Sequence, residues 1–354
     1  MKLILENGVS FQGVSFGADK NVSGEVVFNT AMTGYVEALT DPSYKGQILV
    51  LTYPIQGNYG VTNTTFESEK IQVQGLIVAN YNENYSHFMA ESSLGKWLKD
   101  NGVPALTGID TRTLTKVLRE SGTLTGKILT NNNEQLDSVN MQNVLDLVVD
   151  NRISHYKSQK NNPVDILLVD TGVKLNIIRL LQEKGTNVIR APWNMDWENY
   201  LEKVDGVLLA NGPGNPNNMG FLVDKIKNYL FNIDIPIFGI CLGHQLLSLA
   251  SGANIVKLKY GNRSVNQPVK DLQNNKCYIT SQNHGFAVDV KTLNSEWDEW
   301  FINLNDNSNE GIKHKFKPIS SVQFHPEAAN GSKDTNFLFD DYINTIREKI
   351  NTNE

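Results

Sequence analysis

Ile235-Pro-Ile-Phe-Gly239-Ile-Cys241-Leu-Gly243-His-Gln245 decides how the second half of the chain is read. A short apolar run, 235–240, stops at Cys241, and a helical pattern of Leu246, Leu247, Leu249 and Ala250 begins at once. Glycines stand two residues before and two after the cysteine. A strand, a sharp turn bearing a reactive side chain and then a helix form the layout of a nucleophile elbow. Small flanking residues let such a turn be tight without a Cβ clash. A thiol at a helix N-terminus also meets the macrodipole and unpaired N–H groups, both of which favour the thiolate. Cys241 is therefore the candidate nucleophile.

Outward from the elbow, strand and helix patterns alternate. Strands are expected over 165–170, 187–191 and 205–210, with helices over 174–184 and around 223–230. Such alternation predicts an α/β fold with a mostly parallel, doubly wound sheet. Its ligand crevice lies beyond the carboxyl ends of the strands. Cys241 and the turn Asn211-Gly-Pro-Gly-Asn-Pro216 both follow strands directly and both face that crevice. After Gly252 the pattern becomes antiparallel, with strands at 278–280, 286–290 and 320–324, and a helix over 336–349 closes the chain.

The first part reads as a separate, β-rich α/β domain over residues 1–150. It has short extended runs at 2–5, 9–11, 25–29, 47–52 and 73–79. Helices are expected over 93–99, 113–120 (capped by Asp110 or Thr111) and 139–149. Residues 151–162 are polar and aperiodic, which predicts a linker, and Pro163 opens the second domain, 163–354.

Composition sets the bounds. The chain has 354 residues, a net charge of −6, and 40% hydrophobic and 20% charged residues. That balance argues against a broad nucleic-acid or anionic-membrane interface. No apolar run approaches the roughly 20 residues of a membrane span, and the N-terminal apolar stretch is too short for a secretory signal. The two cysteines, Cys241 and Cys277, form no CxxC pair, so neither a disulfide framework nor a cysteine zinc site is expected, and the reducing cytoplasm is the natural location. No metal is assigned to the chain.

A thiol needs a base and an orienter. His325-Pro-Glu327 ends a strand with an imidazole and a carboxylate two residues apart, and in extended chain i and i+2 share a side. His325 is the candidate base and Glu327 its orienter, the logic of a triad. His284 is the competing base, with a supporting role preferred. The glycines of the Gly-Pro-Gly turn let backbone N–H groups approach a substrate, and with the N–H of Leu242 they form an oxyanion hole. Cys277 reads as core, His244 as packed, and His87, His155 and His314 as solvent-exposed.

Gly239-Ile-Cys-Leu-Gly-His-Gln245, Asn211-Gly-Pro-Gly-Asn-Pro216 and His325-Pro-Glu327 together resemble a class I (triad) glutamine amidotransferase. Phe28-Asn-Thr-Ala-Met-Thr-Gly-Tyr35, Leu39-Thr-Asp-Pro-Ser43-Tyr44, Gly108-Ile-Asp-Thr-Arg112 and Ser281-Gln-Asn-His-Gly-Phe286 narrow the resemblance to the small subunit of glutamine-hydrolysing carbamoyl phosphate synthase. The resemblance covers essentially the whole chain. It implies attack of Cys241 on the carboxamide of L-glutamine through a γ-glutamyl thioester. Ser43, Gly212, Gly214, Leu242, Gln245, Asn283, Gly285 and Phe286 would line the substrate site, Ser43 coming from the first domain.

It further implies transfer of ammonia to a large subunit that binds ATP, magnesium and bicarbonate, with no cofactor in this chain. Three stretches depart from the family pattern: 171–176, 261–268 and 80–83. Two other readings compete: a glutaminase serving another acceptor, against which the long first domain argues, and a catalytically silent regulatory partner, against which the intact triad argues.

Overall fold

The computed structural model describes residues 1–130 and 144–353. Two compact units divide the chain, Met1–Val144 and Leu145–Glu354.

The first unit is one mixed sheet. Its elements are β1 (Lys2–Leu5), β2 (Ser10–Gln12), β3 (Val14–Ser15), β4 (Val22–Asn29), α1 (Tyr35–Thr40), β5 (Gln47–Gln56), β6 (Gly75–Tyr81), α2 (Leu94–Asp100), β7 (Ala105–Thr107), α3 (Thr111–Ser121) and β8 (Leu124–Leu129). The strand order is β2-β1-β8-β4-β5-β6-β7-β3, with β4 to β7 parallel and the flanks antiparallel. β5 is apolar without alternation because both of its faces are covered. Leu49 and Leu51 pack with Leu39 of α1 and Leu94 and Leu98 of α2. Ile48 and Val50 pack with Leu114 and Leu118 of α3 on the other side. Asp110, not Thr111, caps α3, its Oδ1 accepting from the N–H of Thr113 at 2.9 Å. The expected helix at 139–149 falls partly outside the described residues; of the remainder, Val144–Leu147 forms a single 3-10 turn.

The second unit carries β9 (Ser154–Tyr156), β10 (Val164–Asp170), α4 (Leu175–Glu183), β11 (Thr186–Pro192), β12 (Gly206–Leu209), α5 (Gly220–Tyr229), β13 (Ile237–Ile240), α6 (Leu242–Ala250), β14 (Asn254–Asp271), β15 (Cys277–Asp289), β16 (Trp297–Asn303), β17 (Asn309–His314), β18 (Ile319–Val322) and α7 (Phe337–Asn353). They form a sheet of order β15-β14-β16-β17-β18-β13-β12-β10-β11-β9. Its centre, β11, β10, β12 and β13, is parallel as expected, and β18 extends it parallel to β13, against the expectation of antiparallel pairing after Gly252. Alternate residues of β10 serve two cores. Ile166 and Leu168 meet α4 and α7, while Leu167 and Val169 meet α5 and α6. No helix among the described residues is long and apolar enough to cross a membrane.

Several expectations need correction. The polar stretch 151–162 is not wholly a linker, since β9 pairs antiparallel with β11 at the sheet edge. Backbone pairing supplies that contact without requiring apolar side chains. The runs at 278–280 and 286–290 belong to one strand, β15. Its long partner β14 is not among the expected strands; past the short alternation at 256–260 its residues are largely polar, and its pairing shifts register twice, between Lys257 and Asn262 and between Ser264 and Gln267. Cys277 is exposed rather than core, because it begins the outermost strand. His314 is half-buried, its ring set edge-on to Trp297 at 4.9 Å between centroids.

Candidate active site

Cys241 occupies the step between β13 and α6 with φ 53° and ψ −100°. A non-glycine residue held there stores strain of about 1–3 kcal/mol, tolerated only where the surroundings over-determine it. They do so here. The Cys241 N–H donates to Val322 O at 2.8 Å, continuing the β13–β18 pairing, and Gly243 N–H donates to Ala210 O at 3.0 Å. A Cβ on Gly243 would lie 2.3 Å from Leu209 O, and one on Gly239 would lie 2.8 Å from Leu247 Cδ1 and 2.9 Å from Gly243. The flanking glycines thus let α6 sit directly on β12 and β13. Cys241 is 3% exposed, and its thiol donates to Asn283 O over 3.9 Å.

The strand next to the elbow leads to the candidate base. β13 and β18 are paired through Ile240 and Val322, so Cys241 and His325 both follow the carboxyl ends of adjacent strands. His325 N–H donates to Ser281 O at 2.9 Å, tying it to β15. Its Nδ1 lies 2.7 Å from Glu327 Oε1, which fixes the proton on Nδ1 and leaves Nε2 as the acceptor. That Nε2 is buried with no hydrogen-bond partner among the described residues. The contact is not made by strand alternation as expected. β18 ends at Val322, and a turn closed by Ala328 N–H on His325 O folds Glu327 back to the ring.

Glu327 is fully buried. Burial alone pushes its carboxyl upward, but the His325 ring and the Lys174 ammonium outweigh that, and the group is lowered to about 2. Lys174 Nζ lies 3.2 Å from the same Oε1 that meets His325. Asn176 Nδ2 donates to the Glu327 carbonyl. Neither Lys174 nor Asn176 has a role that the sequence pattern alone reveals.

The turn bearing Lys174 is built at the end of β10. Asp170, fully buried, accepts from the N–H groups of Gly172 and Val173 with Oδ1, each at 2.8 Å, and pairs through Oδ2 with Arg190 at 2.6 Å. Asn211 grips the turn from the other side, accepting from Lys174 N–H at 3.1 Å and donating to Gly172 O at 3.1 Å. This explains the Asn-Gly-Pro-Gly sequence in part. A Cβ on Gly212 would lie 1.9 Å from Thr171 O, and Gly214 has φ 103°.

The remaining predicted substrate residues are distributed as follows. Leu242 opens α6, so its N–H has no intrahelical acceptor. Gln245 Nε2 donates to Gln323 Oε1 at 2.9 Å and to Phe286 O at 3.2 Å, so it clamps β15 to α6. His284 also reaches Phe286 O, through Nδ1 at 2.9 Å, while its Nε2 faces Gln282 Oε1 at 3.2 Å. Both ring nitrogens are engaged, which removes His284 as the competing base. His244 is fully buried, with Nδ1 2.9 Å from Ser321 Oγ; burial, and then the nearby His284 ring, push it down to about 3. Ser43 lies in the first unit, on a 3-10 turn where Asp41 Oδ1 accepts its N–H at 2.9 Å. Asn29, from the Phe-Asn-Thr motif, donates to Tyr44 Oη at 2.8 Å and holds that turn.

Residues 3–128 match the family "Carbamoyl-phosphate synthase small chain, CPSase domain", and 167–345 match "Glutamine amidotransferase class-I". The arginine-specific small chain of carbamoyl phosphate synthase from Saccharomyces cerevisiae is 46% identical, covering 97% of this chain and 88% of that protein. The arginine-specific small chain of Schizosaccharomyces pombe is also 46% identical, over 96% and 86%. The multifunctional protein pyrABCN of Emericella nidulans is 44% identical over 98% of this chain, which spans only 17% of that protein's length. A solved structure, a glutamine amidotransferase from Thermotoga maritima, aligns 86% of its own length with 53% of this chain, at 21% identity and a TM-score of 0.39.

Proposed function

The chain belongs to the carbamoyl-phosphate synthase small-chain family, and from that premise we propose that it is the glutaminase of such a synthase, hydrolysing L-glutamine and passing the ammonia to a large subunit. The observation that carries the reading is a strained, buried Cys241 at the end of β13 and, past the end of the adjacent β18, a His325 whose Nδ1 is locked on Glu327 and whose Nε2 is unpaired among the described residues.

His325 Nε2 takes the thiol proton, and the Cys241 sulfur attacks the carboxamide carbon. The N–H of Leu242 and the amides of the Gly212–Gly214 turn receive the oxyanion. The C–N bond breaks as His325 returns its proton to the leaving nitrogen, and ammonia departs. Water, deprotonated by the same nitrogen, then attacks the γ-glutamyl thioester, giving glutamate and the free thiol. Glu327 stays ionised throughout and stabilises the imidazolium. Asn283, Gly285 and Phe286 border the substrate together with Gln245. The partner supplies ATP, magnesium and bicarbonate chemistry, and the cytoplasm is the compartment.

Glutamine hydrolysis by the native chain and by Cys241→Ser, each with its large subunit, tests the proposal. Turnover lost in the variant is the expected result; undiminished turnover rules out the nucleophile.

A further inference from the structure

The β17–β18 hairpin turns through Lys313-His-Lys-Phe-Lys317, and one imidazole holds its tip. His314 Nδ1 accepts from the N–H of Phe316 and from the N–H of Lys317, each at 3.1 Å. A nitrogen that accepts must keep its lone pair, so the two bonds require the neutral ring with its proton on Nε2. The ring stands edge-on to the buried Trp297 of β16, 4.9 Å between centroids, and edge-on to Phe316 at 6.1 Å. From the tip, Lys317 Nζ reaches the turn after α5 and donates to Phe231 O. Phe316 is 80% exposed, so polar contacts rather than burial of its own aromatic ring hold the tip.

The charges around the ring come from two directions. Partial burial holds His314 below its ordinary 6.5; Glu296, just before β16, opposes that, and Lys317 adds to it. Lys315 is occupied beside β16, 3.4 Å from Asp298 and donating to Ser295 O at 2.7 Å. Lys313 lies over the Trp300 ring, 5.3 Å from its centroid. The turn after α5 meets the tip through the Phe231 carbonyl.

We propose that His314 is a pH-sensitive latch on this hairpin: the neutral ring locks the tip, and the imidazolium releases it. A proton taken from water onto Nδ1 removes the acceptor of both N–H groups and sets a second positive charge beside Lys317. The lock is complete above about 6.5 and is lost as pH falls through the lowered value of the folded ring. β17 and β18 stay paired through Gly311–Val322 and Ile312–Ser321, so the opening is confined to the tip.

Amide hydrogen exchange on the full chain, corrected for the intrinsic effect of pH on exchange, reads the latch. Protection of the Phe316 and Lys317 amides should fall about tenfold between pH 7.5 and 4.5, roughly the worth of one hydrogen bond. His314→Asn keeps a short side-chain acceptor for the N–H two residues on but does not titrate, so its protection should stay level across the interval. His314→Leu offers no acceptor and should be unprotected at both pH values, with glutamine hydrolysis at pH 7.5 unchanged in either variant. Native protection that does not vary with pH overturns the proposal. So does an equal fall in His314→Asn, which would assign the loss to general acid destabilisation. Should His314→Leu fail to fold, the native chain and His314→Asn still decide the matter.

Discussion

Lys174 and Glu327 are joined by a buried ion pair of 3.2 Å on the carboxylate oxygen that also holds His325. The lysine comes from the turn after β10 and the glutamate from the turn after β18, so the His325–Glu327 pair is backed by a third residue from a distant part of the chain.

Replacing Lys174 by Met should lower kcat/KM by about tenfold or more, the worth of a lost hydrogen bond to a charged group. Without the ammonium the Glu327 carboxyl protonates at higher pH, so the acid limb of the kcat/KM profile should move upward. Lys174→Arg should restore much of both. An unshifted acid limb would show that Lys174 does not act on Glu327.

Stability should fall on acidification for a defined reason. His244 is held neutral in the fold, pushed down to about 3 from an ordinary 6.5. The unfolded chain therefore binds an extra proton between those values, and stability is lost as pH drops from about 6.5 towards 3. Glu327, lowered to about 2 from 4.5, adds a loss that starts only near 4.5. Urea unfolding of the native chain and His244→Gln at pH 7 and 5 separates the two. The native chain should lose more stability across that interval than the variant, and equal losses would refute the assignment.

Gly243→Ala should destabilise by about 1–3 kcal/mol through overpacking, because the new Cβ meets Leu209 O at 2.3 Å. Relief comes from lifting α6 off β12, which moves the Leu242 N–H and the thiol. Glutamine hydrolysis should therefore fall more steeply than the melting temperature alone accounts for. Gly252→Ala makes a useful contrast. Nothing crowds a Cβ there, but φ is 93°, so it should cost stability through backbone strain with little effect at the thiol.

Cys241→Ser should abolish glutamine-dependent carbamoyl phosphate synthesis in the assembled enzyme and leave the ammonia-dependent reaction in place. Loss of both activities would point to failed folding or assembly instead. A relaxed elbow is not expected, since serine keeps the strained φ.

The elbow and its neighbours were legible because they are local. A strand running into a helix, glycines two residues either side and a histidine two residues from a glutamate are read from a few consecutive residues, though the turn that joins His325 to Glu327 is not, and the structure places Cys241 and His325 beyond adjoining strand ends. The parallel centre of the second unit was legible for a similar reason, since strands covered on both faces must be continuously apolar. The antiparallel extension was not. β14, β16 and β17 carry many polar residues and their pairing shifts register, so the short alternation at 256–260 does not continue along the strand.

By itself, then, the sequence determined the candidate nucleophile, its candidate base and the strands and helices of the parallel centre around them, because backbone conformation and face-by-face burial act over short spans. Tertiary structure alone decided that Lys174 backs Glu327 and that His284 is spent on Phe286 and Gln282. Those facts depend on which charges are brought together out of water, and the energy of a buried charge is set by partners that only folding supplies.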